Sequence, residues 1–265
     1  RMPQPSAARL HEFEVVSNER VADGLFRLVF RASDLASSLE AGQFVNIHVP
    51  GDPSQIVRIP VSFSGTNPVD GTVETVYAVV GDGTRRMSLM RPGDTTNVLG
   101  PCGHGWRVGE VGDRALIVAG GVGITPIVGL GRALSTSGIA FDAVVGSQTS
   151  SKLWGVDELV IAGAGEVLVT TDDGTRGLRG FTTDGMVELM SRNEYSCVLT
   201  CGPEPMMAGV ARLCHERGIA CQVSMERMMT CGFGACSTCN VAMRRGGYAS
   251  TCMDGPVFDA EEVAW

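Results

Sequence analysis

The chain has 265 residues, a length that predicts one large or two modest domains. Its 44% apolar content is enough for hydrophobic cores, and 19% charged residues is too few for a disordered, solvating chain. The 21 Lys and Arg residues against 29 Asp and Glu give a net charge of -8, which argues against nucleic acid or an anionic membrane as the main partner. Glycine, at 35 residues, has no G-X-Y period, so we expect it at turns and close backbone approaches.

The first hundred or so residues predict a β domain. Segments rich in Val, Ile, Phe and Thr predict strands at residues 13–17, 24–30, 43–48 and 72–80. Turn clusters at Gly51-Asp52-Pro53 and at residues 67–71 separate them, and residues 98–101 close the segment. Several short strands between regular turn signals predict a sandwich or a barrel.

From about Val108 the pattern changes to alternating strands and helices. Unbroken apolar runs predict strands at residues 115–119, 141–145, 166–170 and 197–200. Helices are predicted from the glycines after residue 119 through 134, and at 156–161, 183–190 and 204–217. Apolar strands that alternate with helices predict a parallel sheet covered on both faces.

The nine cysteines are too few, in a chain of this length, for a small disulfide scaffold. The sequence as given opens with no basic stretch followed by an apolar run, and no apolar run reaches the 18 or more residues of a bilayer span. We therefore expect a soluble protein in a reducing compartment, the cytoplasm. In such a compartment, clustered cysteines more often bind metal or do redox chemistry than form disulfides.

The last 42 residues carry the most specific signal. They contain four cysteines, Cys231, Cys236, Cys239 and Cys252. Their spacing, C-x4-C-x2-C followed by a later cysteine, is that of plant-type [2Fe–2S] centres. Gly232 and Gly234 allow the first loop to wrap a cluster with its N–H groups pointing at sulfide. The segment has too small an apolar core to stand alone, so a metal centre would organise it.

A structural zinc site is the alternative for these four thiols. Zinc sites usually pair two C-x2-4-C knuckles, whereas Cys252 stands alone. The other five cysteines are expected to be small buried residues, with Cys201 considered further below; they are Cys102, Cys197, Cys201, Cys214 and Cys221. Cys214-His215 looks like a metal fragment but lies in an amphipathic helix pattern, which favours packing.

A glycine turn follows the strand at 115–119. The turn reads Gly120-Gly121-Val122-Gly123-Ile124-Thr125-Pro126, and the free N–H groups of the helix that follows suit a pyrophosphate. It is not a G-x-G-x-x-G fingerprint, and residues 144–148, where we would expect the ribose-binding acid of that pattern, read Val-Val-Gly-Ser-Gln. A tight structural turn is the alternative.

A second turn at a strand's carboxyl end is Cys201-Gly202-Pro203, before the helix predicted at 204–217. Ligands of open α/β sheets bind at such ends, and a thiol there would flank a nicotinamide ring. The alternative is a helix N-cap turn without a ligand. The sequence does not separate NADH from NADPH, because the polar residues that would neighbour a 2′-phosphate also suit a solvent loop; they are Ser147, Thr149, Ser151 and Lys152.

Two motifs stand out in the β domain. The first is Arg58-Ile59-Pro60-Val61-Ser62, whose guanidinium suits phosphate and whose hydroxyl or N–H suits the edge of a flavin ring. The second begins at Tyr77-Ala78 and ends in the turn Gly81-Asp82-Gly83-Thr84, a possible phosphate or ribityl cradle. Taken singly, each also suits a surface ion pair or an ordinary turn.

Together these motifs, in this order, resemble the electron-transfer subunit of class 1B dihydroorotate dehydrogenase, in the ferredoxin–NADP reductase-like superfamily. The match is nearly end to end. It rests on 58–62, 77–84, 100–105, 120–126 and 201–206, and most of all on 224–236 and 252–258. The resemblance implies a multidomain protein. It has an antiparallel β-barrel FAD domain at 1–107, an α/β parallel-sheet NAD domain at 108–223, and a small C-terminal [2Fe–2S] domain at 224–265.

The resemblance also implies roles for residues. FAD would contact Arg58, Ile59, Pro60, Val61, Ser62, Val76, Tyr77, Ala78, Gly83 and Thr84. NAD(H) would lie near Gly120, Gly121, Gly123, Thr125, Cys201, Gly202 and Pro203. Cys231, Cys236, Cys239 and Cys252 would hold the cluster. The partner would be an FMN-containing catalytic dehydrogenase subunit, in a hetero-oligomer expected to be a heterotetramer.

Some positions depart from the family pattern. Ile59 and Ala78 stand where the family usually has Arg, and Thr230 stands where it has Gly. The alternative function is therefore a reductase subunit of another complex, of the ferredoxin–NADP reductase, sulfide dehydrogenase or oxygenase type, with the same electron path. Some of those relatives have Asp for one cluster cysteine, so four cysteines favour the dihydroorotate branch. A zinc-bound structural subunit and a flavin-binding regulatory module remain further alternatives. Glu226, just before the cluster loop, is either a lining of the flavin–cluster path or a solvated surface acid.

Overall fold

The computed structural model describes residues 8–51 and 57–265, so the predicted turn at Gly51-Asp52-Pro53 falls largely outside the described residues. The strands are β1 Arg9–Ala22, β2 Leu25–Arg31, β3 Phe44–Ile47, β4 Ile59–Ser62, β5 Gly65–Asn67, β6 Thr72–Ala78, β7 Thr95–Cys102, β8 Arg114–Gly120, β9 Ala140–Ser147, β10 Val167–Thr171, β11 Leu178–Arg179, β12 Cys197–Cys201, β13 Ala220–Ser224, β14 Asn240–Ala242, β15 Tyr248–Ser250 and β16 Val257–Asp259. The α-helices are α1 Ser33–Ala36, α2 Asp82–Met87, α3 Ile124–Thr136, α4 Val156–Ile161, α5 Thr182–Met190 and α6 Glu204–Arg217.

The first sheet is antiparallel and has seven strands in the order β4-β3-β7-β1-β2-β6-β5. It curls towards closure, because the Thr75 hydroxyl on β6 donates to the Ser62 carbonyl on β4, at the far end of the order, at 2.5 Å. Inward-facing side chains such as Phe30, Val45 and Ile47 are fully buried and form its core. Burial of alternate apolar residues on one face of each strand drives this half-barrel to close.

The second sheet is parallel except at one edge, with the order β11-β10-β9-β8-β12-β13-β16. Its central strand β8 is buried on both faces. Ile117 packs in a core with helices α3 and α4, and Leu116 packs in another with α5 and α6. This is why β8 has an unbroken apolar run, and the predicted parallel sheet covered on both faces is confirmed.

The C-terminal segment packs onto both sheets. β14 and β15 form a hairpin, while β16 pairs antiparallel with β13 and extends the second sheet. Val241, Phe258 and Val263 lie in the second sheet's core, as expected of a segment with too few apolar residues for its own core. At the other side, the His104 amide just after β7 donates to the Gly255 carbonyl at 2.6 Å. The segment therefore joins the two sheets.

None of the helices in the described ranges is long and apolar enough to cross a membrane.

Candidate cofactor sites

A cavity of about 330 Å³ lies where the half-barrel, the second sheet and the C-terminal segment meet; we call it the junction cavity. It lies in the usual size range of ligand sites. Its lining residues include Ile59–Ser62 of β4, Val76–Ala78 at the end of β6, Thr84, Val122, Thr125, residues 224–227, Met229 and Thr251. The structure thus brings together eight of the ten residues predicted to contact FAD.

The other two residues, Arg58 and Gly83, lie next to lining segments. The Arg58 guanidinium donates to the side-chain oxygen of Asn97 on β7 at 2.6 Å, which holds it beside β4. Gly83 lies in the first turn of α2, where the Thr84 hydroxyl accepts hydrogen bonds from the amides of Val80 and Gly81 at 3.0 and 3.1 Å.

One hydrogen bond places the helix after the glycine turn against the half-barrel, and a second fixes the strand that it contacts. Thr125, in the first turn of α3, donates its hydroxyl to the Val76 carbonyl on β6 at 2.7 Å. Tyr77, also on β6, donates to the Asn18 side chain at 3.0 Å, and burial raises its pKa. The bond from Thr125 brings the strand that lines the junction cavity next to the glycine turn, and the bond from Tyr77 joins that strand to β1.

Thr251 marks the junction cavity as a ligand site, and the sequence analysis did not identify it. Its side chain is 1% exposed, it lines the cavity, and its hydroxyl has no hydrogen-bond partner among the described residues. A buried hydroxyl without a partner is costly, so a bound polar group would satisfy it. The sequence signal for Thr251 is its place directly before Cys252.

Glu226 also lines the junction cavity. Its side chain is exposed, and desolvation by the protein around it raises the pKa of its carboxyl group. The buried Cys201 thiol is its electrostatic neighbour. The structure bears on both predictions for Glu226, because the residue lines the cavity and is also exposed.

We expect a Glu226→Gln variant to lose the part of the pH dependence of stability that comes from this carboxyl group. The folded protein holds this proton more tightly than the unfolded chain, so the free energy of unfolding falls as pH rises from below 4.5 through the raised pKa. The variant should be the more stable protein above that window, by less than about 1 kcal/mol because cavity water screens the carboxylate. Denaturant unfolding across this pH range tests it, with Glu216→Gln on the exposed side of α6 as the control. The same fall with pH in wild type and Glu226→Gln would contradict it.

A second cavity, of about 710 Å³, lies at the carboxyl ends of the parallel strands; we call it the strand-end cavity. Gly120 and Gly121 line it, together with residues 146–148 at the end of β9, Asp172 after β10, and Pro203 and Met206 at the start of α6. Parallel α/β sheets bind ligands at this edge. It shares Ala78, Val80 and Val122 with the junction cavity, so the two cavities adjoin.

The strand-end cavity also has unsatisfied polar groups. Thr170 and Thr182 are buried, line it, and have hydroxyls without a partner among the described residues. Gly146 lies between them, since a Cβ there would come within 2.3 Å of the Thr182 side chain and 3.1 Å of the Thr170 hydroxyl. A polar ligand such as a nucleotide fits this edge.

The turns at Gly123 and Cys201 are packed against each other. A Cβ on Gly123 would lie 2.4 Å from the Cys201 carbonyl oxygen, so only glycine allows this approach. The Cys201 thiol is 1% exposed, and in the described part of the chain it lines neither cavity. Cys201 thus supports the glycine turn through its backbone.

The four C-terminal cysteines form one group. The Ala235 amide donates to the Cys231 sulfur at 3.3 Å, and the Thr238 hydroxyl donates to the Cys236 sulfur at 3.2 Å. Cys252 interacts with both Cys239 and Cys231. The hydrogen bond from Thr238, followed by its amide and Cys231, lowers the pKa of Cys236 to about 6. N–H and O–H groups aimed at sulfur suit thiolate ligands.

The backbone of the loop between Cys231 and Cys236 has the conformation for which its two glycines were predicted to be needed. Gly232 and Gly234 have φ of +79° and +86°, which L side chains rarely adopt. No three His, Cys, Asp or Glu residues in the described ranges converge closely enough to hold a single metal ion. The prediction that the other five cysteines are buried is confirmed.

Comparisons with known proteins agree with this set of sites. Residues 226–264 match the family model described as the iron-sulfur cluster binding domain of dihydroorotate dehydrogenase B. The chain is 32% identical over 254 residues to a Bacillus pumilus protein named dihydroorotate dehydrogenase B (NAD(+)), electron transfer subunit, over 94% of this chain and 96% of that protein. A Desulforamulus reducens protein of the same name is 30% identical over 261 residues, which are 97% and 99% of the two chains.

Solved structures show the same fold. The structure of the NADH-dependent reduced ferredoxin-NADP oxidoreductase, described for flavin-based electron bifurcation, contains a chain with TM-score 0.85 and 32% identity. That match covers 95% of this chain and 89% of the other. The Amycolatopsis cytochrome P450 reductase GcoB has TM-score 0.66 and 25% identity, over 80% of this chain and 67% of the other.

These similarities confirm the predicted fold class, the electron-transfer oxidoreductase function, and FAD, NAD(H) and a [2Fe–2S] cluster as cofactors. An electron transfer subunit implies a catalytic partner subunit. The chain belongs to the family of electron transfer subunits of dihydroorotate dehydrogenase B.

Proposed function

We propose that this chain transfers electrons between NAD(H) and an FMN-containing catalytic subunit that acts on dihydroorotate, in pyrimidine biosynthesis. The observation that carries the proposal is the continuity of three sites. The strand-end cavity shares Ala78, Val80 and Val122 with the junction cavity, and the junction cavity reaches Thr251, next to Cys252. A heterotetramer in the cytoplasm is part of the proposal, and nine free thiols suit a reducing compartment.

The proposal assigns one group to each site. FAD would lie in the junction cavity against Arg58–Ser62, Val76–Ala78, Gly83 and Thr84. NAD(H) would lie in the strand-end cavity, which Gly120, Gly121 and Pro203 line. Of the other residues predicted for it, Thr125 lines the junction cavity, and Gly123, Cys201 and Gly202 belong to the two packed turns beside the strand-end cavity. Cys231, Cys236, Cys239 and Cys252 would hold the cluster. The corresponding domains are residues 1–107, 108–223 and 224–265.

When bound, FAD supplies the conversion between the two-electron hydride chemistry of NAD(H) and the one-electron chemistry of a [2Fe–2S] cluster. The chain's own residues position the reactants. The hydrogen bond from Thr125 to Val76 holds the start of α3 against β6, so the two cavities keep a fixed separation. Met225 and Met229 line the junction cavity beside the cluster loop and exclude water from that side. Such positioning supplies a large part of the rate of a transfer reaction.

We propose Asp172 as the ribose-binding acid. If the nicotinamide lies at the residues shared with the junction cavity and the pyrophosphate at Gly120–Gly121, the adenosine extends towards β9 and β10. There Asp172 lines the cavity, and its amide donates to the Ser147 carbonyl at 3.1 Å. A carboxylate at this position accepts hydrogen bonds from the ribose hydroxyls and repels a 2′-phosphate. We therefore propose NADH as the nucleotide.

We expect an Asp172→Asn variant to raise kcat/KM for NADPH about tenfold relative to NADH, equivalent to about 1.4 kcal/mol. The amide removes the repulsion, and Lys152 and Arg212, which line the same cavity, attract the 2′-phosphate. Steady-state kinetics with both nucleotides measures the ratio. Asp173→Asn is the matched control, because the Asp173 carboxylate accepts hydrogen bonds from Thr175 instead. An unchanged ratio in Asp172→Asn would rule out this role.

Anaerobic mixing of the purified holoprotein with NADH tests the proposed electron path. The flavin absorbance should bleach, and the reduced protein should give the paramagnetic signal of a [2Fe–2S] cluster. A flavin that stays oxidised would overturn the hydride step, and zinc in place of iron and sulfide would overturn the cluster. Binding of FAD without NADH oxidation would indicate a regulatory module.

A second candidate is a reductase subunit of another complex with the same electron path. It is favoured by the similarity to a chain of the NADH-dependent reduced ferredoxin-NADP oxidoreductase structure. Co-purification from native cells separates the two. An FMN-containing dehydrogenase subunit supports the dihydroorotate pathway, and a different catalytic subunit reassigns it.

A further inference from the structure

A buried amide lies between the half-barrel and the cluster loop. Strand β3 is buried on both faces, and Val45 and Ile47 point into the barrel core. Asn46, which is 2% exposed, lies on the opposite face of β3, as does Phe44. Phe44 packs with Cys239 and Cys252, so this outer face of the barrel contacts two of the predicted cluster ligands.

Asn46 is hydrogen-bonded to a fifth cysteine on this outer face of the barrel. Its side-chain nitrogen donates to the sulfur of Cys102, at the end of β7, at 3.4 Å. Cys102 is fully buried in the same apolar group as Cys239 and Cys252, and Cys231 is among its electrostatic neighbours. A thiol is a weak acceptor, so the hydrogen bond itself is weak. Without it, however, this buried N–H group would lose an acceptor, which is costly.

The same nitrogen touches the cluster loop. A Cβ on Gly232 would lie 2.3 Å from it, so the amide is packed against the backbone immediately after Cys231. The amide nitrogen carries two hydrogens, and Cys102 is the acceptor that the described residues provide for one of them. The amide nitrogen, the positive end of the side-chain dipole, therefore lies beside Gly232, which is the buried residue of this otherwise largely exposed loop.

We propose that Asn46 is a positioning residue that fixes the Cys231–Cys236 loop and raises the reduction potential of the cluster, with Cys102 keeping the amide in place. The inference rests on the proposed function, because it requires a [2Fe–2S] cluster bound to the four cysteines. Reduction adds one negative charge to the cluster, and nearby N–H dipoles stabilise that charge. Hydrogen bonding and burial around the sulfurs are established controls of such potentials.

The test is an anaerobic redox titration of the full-length holoprotein, followed by electron paramagnetic resonance. Asn46→Leu keeps the number and branching of the side-chain heavy atoms and removes the N–H donor. We expect its equilibrium constant for cluster reduction to fall about tenfold, which is about 59 mV for a one-electron couple. Asn46→His, which retains an N–H donor, should restore most of the potential. The FAD potential should stay unchanged in both, because the effect is local to the cluster.

Cys102 variants complete the test. Cys102→Ser keeps an acceptor for the amide and should keep the wild-type potential, whereas Cys102→Ala should lower it by a smaller amount than Asn46→Leu. If Asn46→Leu binds no cluster, Cys102→Ala carries the test alone. An unchanged cluster potential in the variant that carries the test overturns the inference and leaves the proposed function standing. A wild-type protein without a [2Fe–2S] signal overturns the proposed function instead.

Discussion

The Cys239→Ala protein is expected to lose its iron–sulfur cluster completely and to keep its flavin. Cys239 is 2% exposed and interacts with Cys252. The neighbouring thiol of Cys102 accepts a hydrogen bond from Asn46 and would have to leave that bond to replace Cys239 as a ligand. Clusters of this spacing are held by Cys thiolates, and alanine supplies no ligand at all. Electron transfer from NADH to a one-electron acceptor should fall to background. The rate at which NADH bleaches the flavin should change little, because Cys239 is not among the residues that line the junction cavity in the described chain.

Iron and acid-labile sulfide analysis, with electron paramagnetic resonance of the reduced protein, measures the loss. Cys214→Ala is the matched control, since Cys214 is equally buried but lies in α6 within the second sheet's core. The control should retain iron, sulfide and the paramagnetic signal. Full iron content in Cys239→Ala, or equal loss in both variants, would refute the ligand assignment.

The second large effect is expected from Gly123→Ala. The added methyl group would lie 2.4 Å from the Cys201 carbonyl oxygen, and two backbone segments cannot yield as a side chain does. The start of α3 and the end of β12 must therefore separate, which displaces the glycine turn that would bind the pyrophosphate. We expect kcat/KM for NADH to fall on the order of a hundredfold, because displacements of about 1 Å have effects of this size.

Stopped-flow reduction of the flavin by NADH measures this loss, and the flavin content of the purified variant shows whether it has folded. Gly120→Ala provides a milder version, since its methyl group meets the flexible Met206 side chain at 2.5 Å. Gly109→Ala is the control, because a Cβ there meets nothing within 4 Å. A wild-type rate in a folded Gly123→Ala protein would show that the turn does not position the nucleotide.

Local patterns predicted most of the elements. The unbroken apolar run at 115–119 became β8 Arg114–Gly120, and the helix predicted at 204–217 is α6 Glu204–Arg217. Apolar runs, glycine turns and Pro near a helix start act on neighbouring residues, so they can be read without knowing the fold. The strands β13 and β16 were not predicted. They are five and three residues long, and each is stabilised by pairing with a strand distant in sequence.

The same division applies to the sites. The cysteine spacing, the glycine turn and the 58–62 motif carry their chemistry within a few consecutive residues, and so the sequence was sufficient to indicate an iron–sulfur flavoprotein. Asp172 is different, because it lies beside Ser147 only after β9 and β10 have paired. Asn46 and Thr251 reach the cluster loop and the junction cavity only when the half-barrel, the second sheet and the C-terminal segment pack together. Contacts between residues so far apart in the chain depend on the folded packing, which no local pattern encodes.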